Sequence, residues 1–190
     1  MKKSVILVGV GGQGAILTAK ILVNGLIRKG YDVKMSEVHG MSQRGGSVST
    51  QVHFGDKVYA PVIGLGEADI MVAFEKMEAV RYAEFLKPDG VAVINDYAME
   101  SATTAAGLAE YPEGCVEAMQ SAFTCHVLDA ADIAMKLGNP KCMNVVLFGA
   151  MTKVLGLEDI DWEAVIRETV PARFVELNLR AYEAGRAAIC

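Results

Sequence analysis

Ser4–Gly14 reads SVILVGVGGQG, and the fold is decided by how that stretch changes character partway along. Val5 to Val10 is an unbroken apolar run, too short for a buried helix and rich in β-branched residues. That is the pattern of a central strand covered on both faces. The run ends in close-set glycines, Gly9, Gly11 and Gly12, with Gly14 following Gln13. Ile16, Ala19, Val23 and Ile27 then recur with a helical period as far as Gly30, a C-terminal cap. Strand, glycine turn and helix form the first half of a βαβ unit. The turn leaves backbone N–H groups and the positive end of a helix facing whatever lies above the sheet, so the functional surface is expected there.

Working outward, a second strand spans Asp32 to Val38, followed by a polar, glycine-flanked loop from His39 to Gly46. Val48, Thr50, Val52 and Phe54 alternate with Ser49, Gln51 and His53, which predicts a half-exposed strand. Gly55-Asp56 reads as a turn and Lys57 to Val62 as the return strand of an inserted β-hairpin. Asp69–Phe74 and Val91–Asn95 are further buried strands, separated by a helix over Glu75–Leu86 that Lys87-Pro88-Asp89-Gly90 stops. From Asp96 to residue 123 no period is clear. Thr124–Leu128 predicts a strand and Asp129–Leu137 a helix, broken by Gly138-Asn139-Pro140. Met143–Leu155 is apolar nearly all round and reads as a buried helix in which Gly149 permits close approach of a neighbour. Asp161 caps a helix holding Trp162, Val165 and Ile166. Pro171 opens the last helix, with Phe174, Leu177, Ala181 and Ala184 as its stripe. The alternation predicts an α/β fold: a three-layer Rossmann-like sandwich with a mostly parallel sheet and an inserted β-hairpin, residues 1–190 forming a single domain.

The chain has 190 residues, 52% of them hydrophobic, and a formal net charge of −5, which gives no basic field for nucleic acid or anionic membrane. Lys2 and Lys3 before an apolar run imitate a signal peptide, but the run meets glycines early and no small-residue cleavage pattern follows. No stretch approaches a membrane span. Cys115, Cys125, Cys142 and Cys190 lack any CxxC pair or metal-ligand spacing, so they read as free thiols in a reducing cytoplasm, with no iron–sulfur cluster expected on this chain.

Gly9-Val10-Gly11-Gly12-Gln13-Gly14 satisfies G-x-G-x-x-G in its required place between strand and helix, and Glu37 could serve as the acid of the second strand, a few residues later than usual. The glycines are open to several readings: a nicotinamide or flavin dinucleotide, another phosphate or anion, or turn and packing alone. Glu37-Val38-His39-Gly40-Met41-Ser42-Gln43-Arg44-Gly45-Gly46 places polar side chains between glycines at the carboxyl edge of the sheet. There Arg44 could clamp a carboxylate or phosphate through paired hydrogen bonds, and Met41 could contact a partner. His39 has no neighbouring nucleophile, and His53 and His126 read as structural. No Ser–His–Asp, Cys–His or paired-carboxylate arrangement can be argued from order alone.

VGVGGQGAILTAKIL, EVHGMSQRGGSVSTQVHFG, a buried strand ending in FEKMEA, and NLRAYEAGRAA together resemble the gamma-type domain of the 2-oxoacid:ferredoxin oxidoreductases, with HGMSQRGG pointing to the indolepyruvate branch. The likeness covers nearly the whole chain. It implies a subunit of a heteromeric enzyme that converts an arylpyruvate and coenzyme A to aryl-acetyl-CoA and carbon dioxide while reducing ferredoxin. It further implies that thiamine diphosphate, Mg and the iron–sulfur clusters belong to a large alpha subunit, and that this chain holds none of them. In this sequence there is no thiamine-diphosphate signature and no ferredoxin cysteine run. The chain would complete the alpha subunit's cleft, offering Gly9, Gly11, Gly12, Gln13 and Gly14 to coenzyme A or another anion. Glu37, His39, Met41, Ser42, Gln43, Arg44, Gly45 and Gly46 would face substrate or partner. An autonomous nucleotide-binding dehydrogenase or sensor is the competing reading.

Overall fold

The structure, a computed structural model, describes residues 2–39, 45–100 and 102–189. In chain order its elements are β1 (Lys2–Val10), α1 (Ala15–Arg28), β2 (Asp32–His39), β3 (Ser47–Gly55), β4 (Ala68–Ala73), α2 (Lys76–Arg81), β5 (Leu86–Asn95), α3 (Ala102–Ala105), α4 (Cys115–Ala122), β6 (Thr124–Leu128), α5 (Ala130–Lys136), α6 (Met143–Leu155), α7 (Trp162–Thr169) and α8 (Val175–Ala187). The strands form one sheet in the order β2-β3-β1-β4-β5-β6. β1, β4, β5 and β6 pair in parallel, whereas β3 is antiparallel to both β1 and β2, so β3 alone runs against the rest.

The run that opens the chain explains the layering. Val5, Ile6, Leu7 and Val8 have no exposed surface. Val5 and Leu7 join Val72 and Val93 in the larger core under α1, α6 and α8, while Ile6 and Val8 join Met71, Ala92 and Ile94 in a smaller core under α2 and α4. Strand alternation thus feeds both faces from one apolar sequence, as a sheet covered on both sides requires. This is the mostly parallel three-layer α/β architecture that the sequence predicts.

Several expectations are corrected. The inserted hairpin is β2–β3, and residues 57–62 are not a strand. β3 is already bonded on both edges, so no ladder is left for a return strand. Instead, side chains of the hairpin hold that segment: Val58 N–H donates to Asp32 Oδ2 at 3.0 Å, Ile63 N–H donates to Gln51 Oε1 at 2.7 Å, and His53 Nδ1 lies 2.9 Å from the Ala60 carbonyl. The hydrogen bond from Lys34, followed by that from Val58, holds the Asp32 carboxyl at about 2. β3 is also buried rather than half exposed from Ser49 to Phe54, because strands flank it and layers cover both its faces. α2 is shorter than its predicted span, a 3₁₀ turn at Ala83–Phe85 follows it, and Lys87–Gly90 lie inside β5.

The helix faces shift as well. Ile16 and Ile27 of α1 are 42% and 57% exposed; the buried face is Ala15, Thr18, Ala19, Ile21, Leu22, Gly25 and Leu26. A β-carbon on Gly25 would lie 2.1 Å from Trp162, so α7 seats its indole on that glycine. In α8, which a 3₁₀ turn at Ala172–Phe174 precedes, the buried residues are Val175, Asn178, Leu179, Ala181, Tyr182 and Gly185, and Phe174 and Ala184 lie outside that stripe. Asp161 caps α7 by accepting Ala164 N–H at 3.0 Å, and α6 is buried nearly all round, both as the sequence predicts.

α6 and α8 approach through glycine. A β-carbon on Gly149 would sit 2.1 Å from the Tyr182 carbonyl oxygen, and one on Gly185 would sit 1.9 Å from that of Val146. Neither backbone can yield without separating the helices. Gly149→Ala should therefore destabilise the chain by about 2 kcal/mol or more and lower Tm by about 4–8 °C. A wild-type melting curve would show that the helices have room to part.

Candidate functional site

The candidate surface lies at the carboxyl edge of the parallel strands, where open α/β sheets bind ligands. Its floor is a network of side-chain amides. Gln13 turns inward: Val10 N–H donates to its Oε1 at 2.7 Å, and its Nε2 donates to the Phe74 carbonyl at 3.2 Å. Asn95 Nδ2 donates to the same carbonyl at 3.1 Å, and Asn95 Oδ1 accepts Ala130 N–H at 2.9 Å. The ends of β1, β4 and β5 and the start of α5 are thereby tied through the Phe74 carbonyl. Gly9 lies against this network; a β-carbon there would lie 2.8 Å from Gln13 Oε1 and 2.9 Å from Phe74 Cβ. Gly14, with φ of +90°, precedes α1, whose N-terminus has no side-chain cap.

The glycine turn is also joined to the far end of the polar loop. Gly11 N–H donates to the Gly46 carbonyl at 2.8 Å, and Gly45 N–H donates to the Gly11 carbonyl at 3.1 Å. Gly11, Gly45 and Gly46 are thus brought together, as the sequence alone could not require. Gly40, Met41, Ser42, Gln43 and Arg44 lie outside the described residues. His39 closes β2 opposite Val48. Glu37 is exposed and pairs in register with Thr50, so β3 intervenes between it and β1. At roughly 5 Å per strand, the acid stands about 10 Å from the β1 line, farther than a ribose-binding acid on an adjacent strand.

Two clefts flank the turn. One, of about 240 Å³, lies between the start of α1 and the hairpin and includes Gly11, Gly12, Glu37, Val38 and Thr50. The other, of about 590 Å³, lies over the sheet switch point beside Gly12–Gly14 and is lined by Tyr97, Met99, Met135, Lys141, Met143 and Asn144. None of the residues of this second wall beyond the glycine turn is among those the sequence marks as candidates. Met135 is 63% exposed, and its place on the polar side of α5 was the available signal.

α2 supplies buried acids. Glu75 caps the helix by accepting Glu78 N–H at 2.9 Å, accepts Met99 N–H at 3.2 Å, and accepts the Tyr111 hydroxyl. Burial, followed by the Glu75 contact, pushes the Tyr111 hydroxyl well above its ordinary value. Burial likewise raises the Cys115, Cys125 and Cys142 thiols, so none is poised as a thiolate at neutral pH. Among the described residues, no group of His, Cys, Asp or Glu side chains could hold a metal ion, and these three cysteines are free. The donor set therefore does not fit a metal or an iron–sulfur cluster held by the described part of the chain. No described helix is long and apolar enough to cross a membrane.

A Rossmann-like sheet whose glycine turn is joined to a second glycine pair defines a class wider than dinucleotide enzymes. Residues 4–188 match the pyruvate ferredoxin/flavodoxin oxidoreductase family, and the chain belongs to that family. It is 40% identical over 192 residues to the indolepyruvate oxidoreductase subunit IorB of Archaeoglobus fulgidus, covering 97% of this chain and 94% of that one. It is 38% identical over 188 residues to the subunit of the same name from Thermococcus kodakarensis, covering 96% and 93%. A 2-oxoglutarate synthase subunit, KorC of Methanothermobacter marburgensis, is 27% identical over 198 residues, covering 100% and 97%. In fold, the chain is similar to the keto/oxoacid ferredoxin oxidoreductase gamma subunit of Geobacter sulfurreducens, with a TM-score of 0.73, 23% identity and coverage of 98% and 97%.

The amide network is open to test. Asn95→Leu removes the partner of Ala130 N–H and one donor to the Phe74 carbonyl. It should destabilise the chain by about 1–3 kcal/mol in chemical denaturation. An unchanged midpoint would mean that the strand ends do not depend on Asn95.

Proposed function

We propose that this chain is the small subunit of a heteromeric arylpyruvate:ferredoxin oxidoreductase. The reaction is oxidative decarboxylation: an aryl 2-oxoacid and coenzyme A give aryl-acetyl-CoA and carbon dioxide, and the electron pair passes to ferredoxin. The observation that carries the reading is the 38–40% identity to indolepyruvate oxidoreductase subunits over nearly the whole chain, against 27% for a 2-oxoglutarate synthase subunit. Thiamine diphosphate, Mg and the iron–sulfur clusters are assigned to the large alpha subunit, as membership of the family suggests. That subunit supplies the decarboxylation and electron-transfer chemistry.

This chain's own contribution is a surface. The glycine turn, the re-entering Gly45-Gly46 and the methionine-lined wall lie on one edge of the sheet, and we assign that edge to the alpha subunit's active-site cleft. The N–H groups at the uncapped start of α1 suit a carboxylate or a phosphate of coenzyme A. Arg44, by its place between Gln43 and Gly45, is the cation assigned to the same anion. A free-standing nucleotide-binding module finds less support, because β3 separates Glu37 from the turn. The assembly is assigned to the cytoplasm.

Co-expression with the alpha subunit should give a stable complex that reduces a viologen dye in the presence of an arylpyruvate and coenzyme A, whereas this chain alone should be inactive. In that complex Arg44→Ala should lower kcat/KM by about 30-fold or more, and Arg44→Lys should recover little, since an ammonium lacks the planar fork. Turnover by the isolated chain would overturn the assignment. Wild-type kinetics in a folded, complex-forming Arg44→Ala would remove that residue from the site.

A further inference from the structure

α2 carries two acids that solvent scarcely reaches, Glu75 at 0% and Glu78 at 2% exposure. Glu75 is occupied by its cap and by Met99 and Tyr111. Glu78 has another task. Its Oε2 accepts the hydroxyl of Ser47, the first residue of β3, and its Oε1 accepts Nε–H of Arg81 at 2.9 Å. The Tyr82 hydroxyl stands 3.3 Å from the same Ser47 oxygen. A carboxylate placed this deep costs stability unless charge and hydrogen bonds compensate it, and both compensating groups are present. An apolar side chain would fill the space under the sheet without that cost. What the carboxylate adds is a fixed position for Ser47.

Ser47 directly follows the residues joined to the glycine turn. Gly46 accepts Gly11 N–H and Gly45 donates to the Gly11 carbonyl, so the backbone re-entering the sheet is bonded to the turn. Glu78 adds a side-chain anchor from α2 one residue later. Without it, the junction would rest on those two glycine backbone bonds and on the first rung of the β1–β3 ladder, Ser47 opposite Val10, at the very end of the strand, and glycine is the residue least able to hold a conformation by itself.

We infer that Glu78 is a positioning residue for the reaction: acting through Ser47, it fixes Gly45–Ser47 beside Gly11 and so sets where the end of the polar loop and the glycine turn meet their ligand. It touches no substrate. The inference rests on the reading of the chain as an oxidoreductase subunit.

The test uses the assembled complex and Ser47→Ala, which removes an exposed side chain and leaves the Glu78–Arg81 pair intact. Ser47→Thr is the conservative variant, and Glu78→Gln keeps the shape of the acid but not its charge. Hydrogen exchange is followed on peptides spanning residues 45–52, beside steady-state kinetics with an arylpyruvate. Ser47→Ala should exchange about tenfold faster at 45–49, with β1 and α6 unchanged, and raise KM about tenfold while kcat changes little. Ser47→Thr should restore both, and Glu78→Gln should fall between. Wild-type exchange in Ser47→Ala would show that the anchor does not exist. Faster exchange with wild-type KM would reduce it to a structural contact and overturn the positioning role. A wild-type complex inactive with every 2-oxoacid would instead sink the enzymatic reading, and the positioning role with it, while the exchange data would still judge the anchor.

Discussion

Because β3 runs antiparallel between β1 and β2, it begins beside the end of β1, next to the glycine turn. The rest of the site depends on that constraint. It brings Gly45 and Gly46 into hydrogen bonds with Gly11, places Ser47 within reach of Glu78, and moves Glu37 away from β1. In a sheet with β2 directly beside β1, the turn and the acid would frame a dinucleotide. Here the turn faces the end of a loop instead. One strand's direction thus converts a nucleotide-binding edge into a composite surface.

That surface is rigid below and open above. Gln13 and Asn95 spend their amides on the strand ends, and Glu75 and Glu78 reach out from α2 to Tyr111, Met99 and Ser47. Such satisfied polar networks are costly to disturb, because each buried group left alone loses its full desolvation energy. Above them lie exposed Met135, the open cleft beside Gly12–Gly14, and the uncapped start of α1. A fixed floor beneath an apolar, adaptable rim suits a subunit that finishes another chain's cleft.

Much of this was legible because it is local. The apolar run Val5–Val10, the Asp161 cap and the all-round apolar α6 follow from neighbours in sequence, and they came out as read. What failed depends on distant partners. Val48, Thr50, Val52 and Phe54 alternate as a half-exposed strand would, and nothing local says that β1 and β2 will flank them. Ile16 and Ile27 outweigh Thr18 and Gly25 on any hydropathy scale, yet the latter pair is buried, Thr18 against the Asn144 carbonyl and Gly25 under Trp162. Glu75 and Glu78 look like a solvated helix face until Tyr111 and Ser47 arrive from elsewhere. The site was legible as glycines and a polar loop, but the bonds joining them, and the wall made by Met99, Met135 and Met143, were not.

The carboxyl edge is the face we assign to contact with the large subunit. Hydrogen exchange compared between the free chain and the assembled complex tests that assignment most directly. The account predicts slowed exchange at residues 9–16, 45–50 and 135–144 on assembly, with α7 unchanged. Protection confined to α7 and the outer face of α8, with the glycine turn exchanging as in the free chain, would contradict it.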